Sequence, residues 1–159
     1  MADQTPAPAT ARPLLADMSG IDLLRAMARG EIAPTPMAAT ANIRLGAIEP
    51  GRVSFRGQAE PRHCNPFGAV HGGWFGVLLD SALGCAVLSV VPQGRWYTTL
   101  DYGVNLTRAL APGTEVTCTA EVMHTGRTTA VARGEIRGAE DGRLYATGQT
   151  TCLIMDLNT

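Results

Sequence analysis

The sequence predicts an α+β protein in which an antiparallel sheet wraps around one long central helix, preceded by an N-terminal extension with a short helix. Three observations predict it. From His63 to Gly94 the chain is almost wholly apolar or small, and Asp80 is the one Asp, Glu, Lys or Arg in that run. On either side of it, apolar residues recur at every second position, the period of a strand with one covered face. Each of those alternating runs is separated from the next by a Pro-Gly, Asp-Gly or single Gly turn or by the apolar run itself. The 159 residues suffice for one domain with a substantial core.

Residues 1–18 are rich in Pro, Ala and Thr and are expected to form a mobile arm. Ser19 then caps a short amphipathic helix with Ile21, Leu24, Met27 and Ala28 at helical spacing. Pro34 and Pro36 are expected to end it, so residues 1–37 form an arm and helix outside the main domain, which spans 38–159. Ala41, Ile43, Leu45 and Ala47 make one apolar face; after Pro50-Gly51, Val53, Phe55, Gly57 and Ala59 make the next. The long helix is expected over 72–91. Four more runs follow: Trp96 to Leu106, Val116 to Val122, Ala130 to Ile136, and Leu144 to Cys152. A helix apolar nearly all round must be enclosed. The sheet covers one side, and a second copy of the chain is the expected cover for the other.

Composition narrows the function. A net charge of −1, with 13 basic and 14 acidic residues, argues against a broad nucleic-acid-binding surface. Every basic residue is Arg, whose fork suits phosphate oxygens. Cys64, Cys85, Cys118 and Cys152 are scattered without a CxxC pair and read as reduced, largely buried thiols. His63, Cys64 and His71 lack a usual zinc spacing, so no metal is expected. The N-terminus lacks the apolar stretch of a signal peptide. The apolar run 74–91 is short for a span, and its central Asp80 would cost about 2.5–3.5 kcal/mol to insert. A soluble, cytoplasmic protein is expected.

Asp80 in such company needs compensation. Eight residues earlier, His71-Gly72-Gly73 stands at the expected helix start, where unpaired N–H groups and the helix dipole favour negative charge. A carboxylate and an oxyanion donor are the parts of an acyl-transfer site. Eight residues of helix separate them by roughly 12 Å, whereas reacting atoms meet at about 3–3.5 Å. One chain therefore cannot unite them, but two antiparallel helices about a twofold axis can.

Asn65-Pro-Phe-Gly-x-x-His71-Gly72-Gly73 followed by Asp80 resembles the signature of hotdog-fold acyl-CoA thioesterases of the phenylacetate-pathway type. Thr99 to Asn105, Arg108-x-x-x-Pro112-Gly113 and Gly126-Arg127 add to the resemblance, which covers roughly 38–155. It implies a hotdog dimer assembling into a homotetramer that hydrolyses acyl-CoA, with the CoA thioester as substrate and no cofactor; Trp74, Phe75 and Tyr102 suit an aryl or medium-chain acyl group. Carried over, the Gly72 N–H polarises the carbonyl and Asp80 of the other subunit is nucleophile or general base. Asn65 lies near the carbonyl or the water, and Thr99 is the nearest match to a water-orienting hydroxyl. His71 has the plainer role of fixing the turn, and Arg62, Arg108 and Arg127 are candidates for the CoA phosphates. The competing readings are a dehydratase or hydratase, which needs a second catalytic acid or base beside Asp80, and a non-catalytic acyl-CoA-binding protein.

Overall fold

A computed structural model describes residues 12–157. Its elements run α1 (Gly20–Ala28), α2 (Pro36–Ala41), β1 (Ile43–Glu49), β2 (Arg52–Gln58), α3 (Gly72–Leu88), β3 (Arg95–Leu106), β4 (Glu115–Thr125), β5 (Thr129–Gly138) and β6 (Leu144–Asp156). The strands form one antiparallel six-stranded sheet in the order β1-β2-β4-β5-β6-β3. The sheet curves around α3, which is the expected hotdog architecture. The middle of the sheet follows the alternation read from the sequence: Val53, Val116, Cys118, Ala120, Ala130, Ala132, Ile136, Ala146 and Cys152 are all shut away from solvent against the helix. Small residues there let α3 lie close to the strands.

β1 and β3 depart from simple alternation, and for the same reason. A bulge between Leu45 and Ile48 interrupts β1, where the Ala47 N–H bonds Ser54 Oγ at 2.8 Å. It turns Ala47 outward and Ile48 inward, against the expected face. A second bulge between Thr99 and Asp101 splits β3. Thr99 pairs with the inward Cys152 and Tyr102 with the inward Thr150, so Tyr97 and Thr99, rather than the expected Trp96 and Thr98, face the helix. An extra residue in one strand reverses which parity points inward. Trp96 instead lies under the Arg12 guanidinium, 3.8 Å from the ring centre.

The N-terminal segment is more ordered than expected over residues 12–18; residues 1–11 lie outside the described part. Arg12–Ala16 is a 3-10 turn with Leu15 buried, and the Leu15 carbonyl accepts from Gly94 N–H at 2.7 Å. α1 starts as expected at Ser19, whose Oγ accepts from Asp22 N–H, and buries Leu23, Leu24 and Ala26. Pro36 opens a further helix instead of marking a stop: Thr35 Oγ1 caps α2 by accepting from Ala38 N–H, and Pro36 occupies its first turn. Proline is at home there because its missing N–H would have had no helical partner. α3 ends at Leu88, one turn short of the expected 91. No helix among the described residues is long and apolar enough to cross a membrane.

Candidate active site

The start of α3 is a turn whose amides are almost all engaged. Asn65 Oδ1 accepts from Phe67 N–H at 2.9 Å and from Ala69 N–H at 3.3 Å. Gly68 N–H donates to Asn65 O, Val70 N–H to Leu110 O and His71 N–H to His63 O. His71 is the N-cap of α3, and its Nδ1 accepts from Gly73 N–H at 2.9 Å, which leaves the proton of the neutral ring on Nε2. Trp74 N–H returns to His71 O. Among the described residues, Gly72 alone between Phe67 and Trp74 has an N–H with no partner. Being first in the helix, that N–H points away from the helix's own carbonyls and carries the positive end of the dipole. A Cβ at Gly72 would come within 3.1 Å of Leu106 Cδ1, so glycine keeps the approach open.

Asp80 lies two turns further along α3 and is half-buried, as are Val77, Ser81 and Cys85 on the same stretch of helix. Thr99 Oγ1 donates to Asp80 Oδ1 at 3.4 Å, a long bond that holds the hydroxyl beside the carboxylate. The β3 bulge is what delivers Thr99 there. Tyr97, the next inward residue, crosses α3 at Gly84, where a Cβ would collide with the tyrosine hydroxyl. The Asp80 charge reaches its neighbours: burial first, then Asp80, pushes the Cys85 thiol up to about 12. Burial, with smaller contributions from Cys85, Cys152 and Asp80, holds the Tyr97 hydroxyl well above its ordinary range. Both groups therefore keep their protons at neutral pH.

That cleft, about 500 Å³, is bounded on one side by Asp80, Ser81, Cys85, Tyr97 and Thr99. Its opposite wall was not foreseen: Leu24, Met27, Ala28, Pro34, Ala38 and Ala39 from α1, α2 and the link between them. No local signal marks those residues as site residues, because the wall arises only when α1 and α2 fold back over α3. The helices themselves were findable, α2 by its Thr-Pro start.

The structure thus groups Gly72, His71 and Asn65 at the start of α3, and Asp80 with Thr99 at its middle. Arg108 lies on the β3–β4 connection, two residues from the Leu110 carbonyl that meets Val70, and forms no ion pair among the described residues. Arg62 is ion-paired with Glu60 at 2.7 Å. Arg127 sits at the opposite end of β3 from Gly72, its carbonyl accepting from Arg95 Nη1 at 2.7 Å. Among the described residues no group of three or more His, Cys, Asp or Glu could hold a metal.

An antiparallel sheet wrapped around one long helix defines the hotdog class. Known proteins agree. A sequence model of the thioesterase superfamily matches residues 67–145, and the chain belongs to that family as a thioester hydrolase. Human acyl-coenzyme A thioesterase 13 is 28% identical over 109 residues, covering 69% of this chain and 77% of that protein. A putative thioesterase from Ralstonia eutropha, described as phenylacetic acid degradation-related, superposes with a TM-score of 0.73 at 29% identity, covering 82% of this chain and 98% of its own. A hypothetical thioesterase from Streptococcus pneumoniae, solved with coenzyme A, superposes with a TM-score of 0.69 at 26% identity, covering 76% and 92% respectively.

Proposed function

We propose that this protein hydrolyses acyl-CoA thioesters at sites shared between two copies of the chain, with Asp80 as general base and the Gly72 N–H of the partner subunit as oxyanion donor. The observation that carries this reading is the pairing of one bare amide with one half-buried carboxylate on the same helix, roughly 12 Å apart along its axis. A twofold mate resolves the separation. β3 is an edge strand with Leu100, Tyr102 and Leu106 exposed, and an apolar edge invites pairing with its own copy. Pairing β3 with β3 about a twofold axis would extend the sheet and set the two α3 helices antiparallel over it.

In the proposed step a water held between Asp80 and Thr99 attacks the carbonyl carbon, and Asp80 takes the water's proton. Negative charge builds on the carbonyl oxygen, where a preorganised N–H is worth roughly 10²–10³ in rate. The C–S bond then breaks and the thiol leaves with a proton returned from Asp80. Thiolate departs readily, so no strong acid is needed. Water activation is favoured over direct attack because the Thr99 hydroxyl stands beside the carboxylate, giving a water two partners. The cleft's apolar wall suits a medium-chain or aryl acyl group. Asn65 keeps its amide nitrogen for substrate or water while its oxygen holds the loop. Arg108 is the best placed of the three arginines for a CoA phosphate. The outer sheet face, with Arg52, Glu121, Arg133 and Glu135 around a shallow depression, carries both charge signs and suits a second dimer in a homotetramer.

The test is release of free CoA thiol from a panel of aryl and aliphatic acyl-CoAs. Turnover that appears with wild type and disappears with Asp80→Asn supports the reading; binding without thiol release contradicts it. A single turnover in ¹⁸O-water separates the two chemistries. Label in the Asp80 carboxylate after one turnover identifies a nucleophilic Asp80 whose anhydride opens at the aspartyl carbon, whereas a general base leaves Asp80 unlabelled and puts the label into the acid product.

A further inference from the structure

We infer that the N-terminal segment, through Met27, Ala28, Ala38 and Ala39, forms the far wall of the acyl-binding cleft and sets the longest acyl chain the enzyme accepts. The inference rests on the acyl-CoA reading for its ligand, but its evidence is the placement of α1 and α2. Residues 20–41 precede the part of the chain that the superfamily shares, 67–145. They are nonetheless tied down at both ends. At the α1 end, Gly20 N–H donates to Val91 O at 3.0 Å, and Gly20 packs so tightly on the Leu88 carbonyl that a Cβ there would collide with it. At the α2 end, Trp74 Nε1 donates to Ala41 O at 2.8 Å and His63 Nε2 donates to Thr40 O at 2.7 Å.

The two anchorages lie near opposite ends of α3, and Asp80 lies between them. The segment therefore spans the cleft as a strap. Between the helices, Gly30 N–H and Glu31 N–H close the end of α1 onto Met27 O and Ala26 O, and Thr35 caps the start of α2, so both ends of the crossing are pinned. A wall held this way blocks an over-long chain instead of yielding to it. On this side the cleft is mostly apolar, its polar members being Thr35 and Arg44, whose guanidinium is held by Glu115, so the group it takes is the hydrocarbon end of the acyl chain. Ala28 and Ala39 are exposed residues that line the cleft, and a larger side chain at either would shorten it without entering the core.

The experiment compares Ala28→Leu and Ala39→Leu with wild type and with Ala33→Leu, an exposed position that does not line the cleft. Thiol release is measured on saturated acyl-CoAs of increasing length, and dissociation constants on the matching non-hydrolysable thioether analogues. Each methylene excluded from an apolar site costs roughly fourfold in binding. The two lining variants are expected to lower kcat/KM for the longest accepted chains at least ~10-fold while leaving the shortest within about twofold. The analogue affinities should show the same length-dependent break, and Ala33→Leu should track wild type throughout. Equal losses at every length, or an unchanged length profile in both variants, would overturn the wall. Should wild type bind the analogues but release no thiol, the hydrolase reading fails while the analogue series still decides the wall.

Discussion

The two regions of α3 that carry the proposed site are built from different materials. At its start the chemistry is backbone: one N–H is left over after Asn65, His71 and the neighbouring carbonyls have claimed the rest. At its middle the chemistry is side chain, with Asp80, Thr99 and an apolar wall from another part of the chain. A backbone donor survives most substitutions at its own position, proline excepted, whereas a carboxylate is removed by any change of side chain. The two regions should therefore respond very differently to single substitutions.

The largest contrast is at Asp80. Asp80→Asn keeps the shape and removes the base, and kcat should fall at least ~100-fold, the lower end for general-base help, with the elution volume on gel filtration unchanged. Near wild-type turnover would shift the chemistry elsewhere. Thr99→Val tests the same region more gently. Loss of the hydroxyl that positions the water is expected to lower kcat about 3- to 10-fold with little change in KM, as for removal of one weak neutral hydrogen bond. A purely structural Thr99 would leave kcat alone.

His71→Ala probes the frame at the helix start. Removing the cap frees the Gly73 N–H and should cost about 1 kcal/mol of stability, as other N-cap side chains do, or roughly 2–4 °C in Tm. Activity should drop only severalfold, because the Gly72 amide itself survives. A loss as deep as that of Asp80→Asn would give the imidazole a chemical role. The smallest effect is expected at Cys85. Its thiol is raised from 9.0 to about 12, so the folded protein holds this proton longer than the unfolded chain does. Its contribution to stability is fully present below pH ~9 and is lost as pH rises toward 12. At pH 8 Cys85 should resist alkylation in the native state, and Cys85→Ser should retain turnover.

The same division governs what the sequence made legible. Asp80 stood out because it was the lone charge in a 32-residue apolar run, and Gly72 because a His-Gly-Gly turn opened that run. β2, β4, β5 and β6 followed their period-two patterns into the core. The bulges in β1 and β3 were hidden because neighbouring residues of both parities could serve as inward ones: Ala47 and Ile48 in β1, Trp96 and Tyr97 in β3, look equally inward until an extra residue decides. The resemblance marks Thr99 as the nearest match to a water-orienting hydroxyl, and only the bulge explains how it reaches Asp80. The wall from α1 and α2 was invisible for another reason. Its residues carry no chemistry of their own, and their role comes entirely from where two helices of the N-terminal segment fold back.

The central claim, that the amide of one copy serves the carboxylate of another, is tested most directly by subunit mixing. Asp80→Asn chains, which lack the carboxylate, and Gly72→Pro chains, which lack the N–H at a first-turn position that tolerates proline, are each expected to be inactive alone; they are unfolded together and refolded at equal concentration. Shared sites give each heterodimer one intact pair, so activity should return to about a quarter of wild type. If the mixture stays as inactive as its parents while heterodimers are shown to form, the site lies within a single chain and the account is wrong.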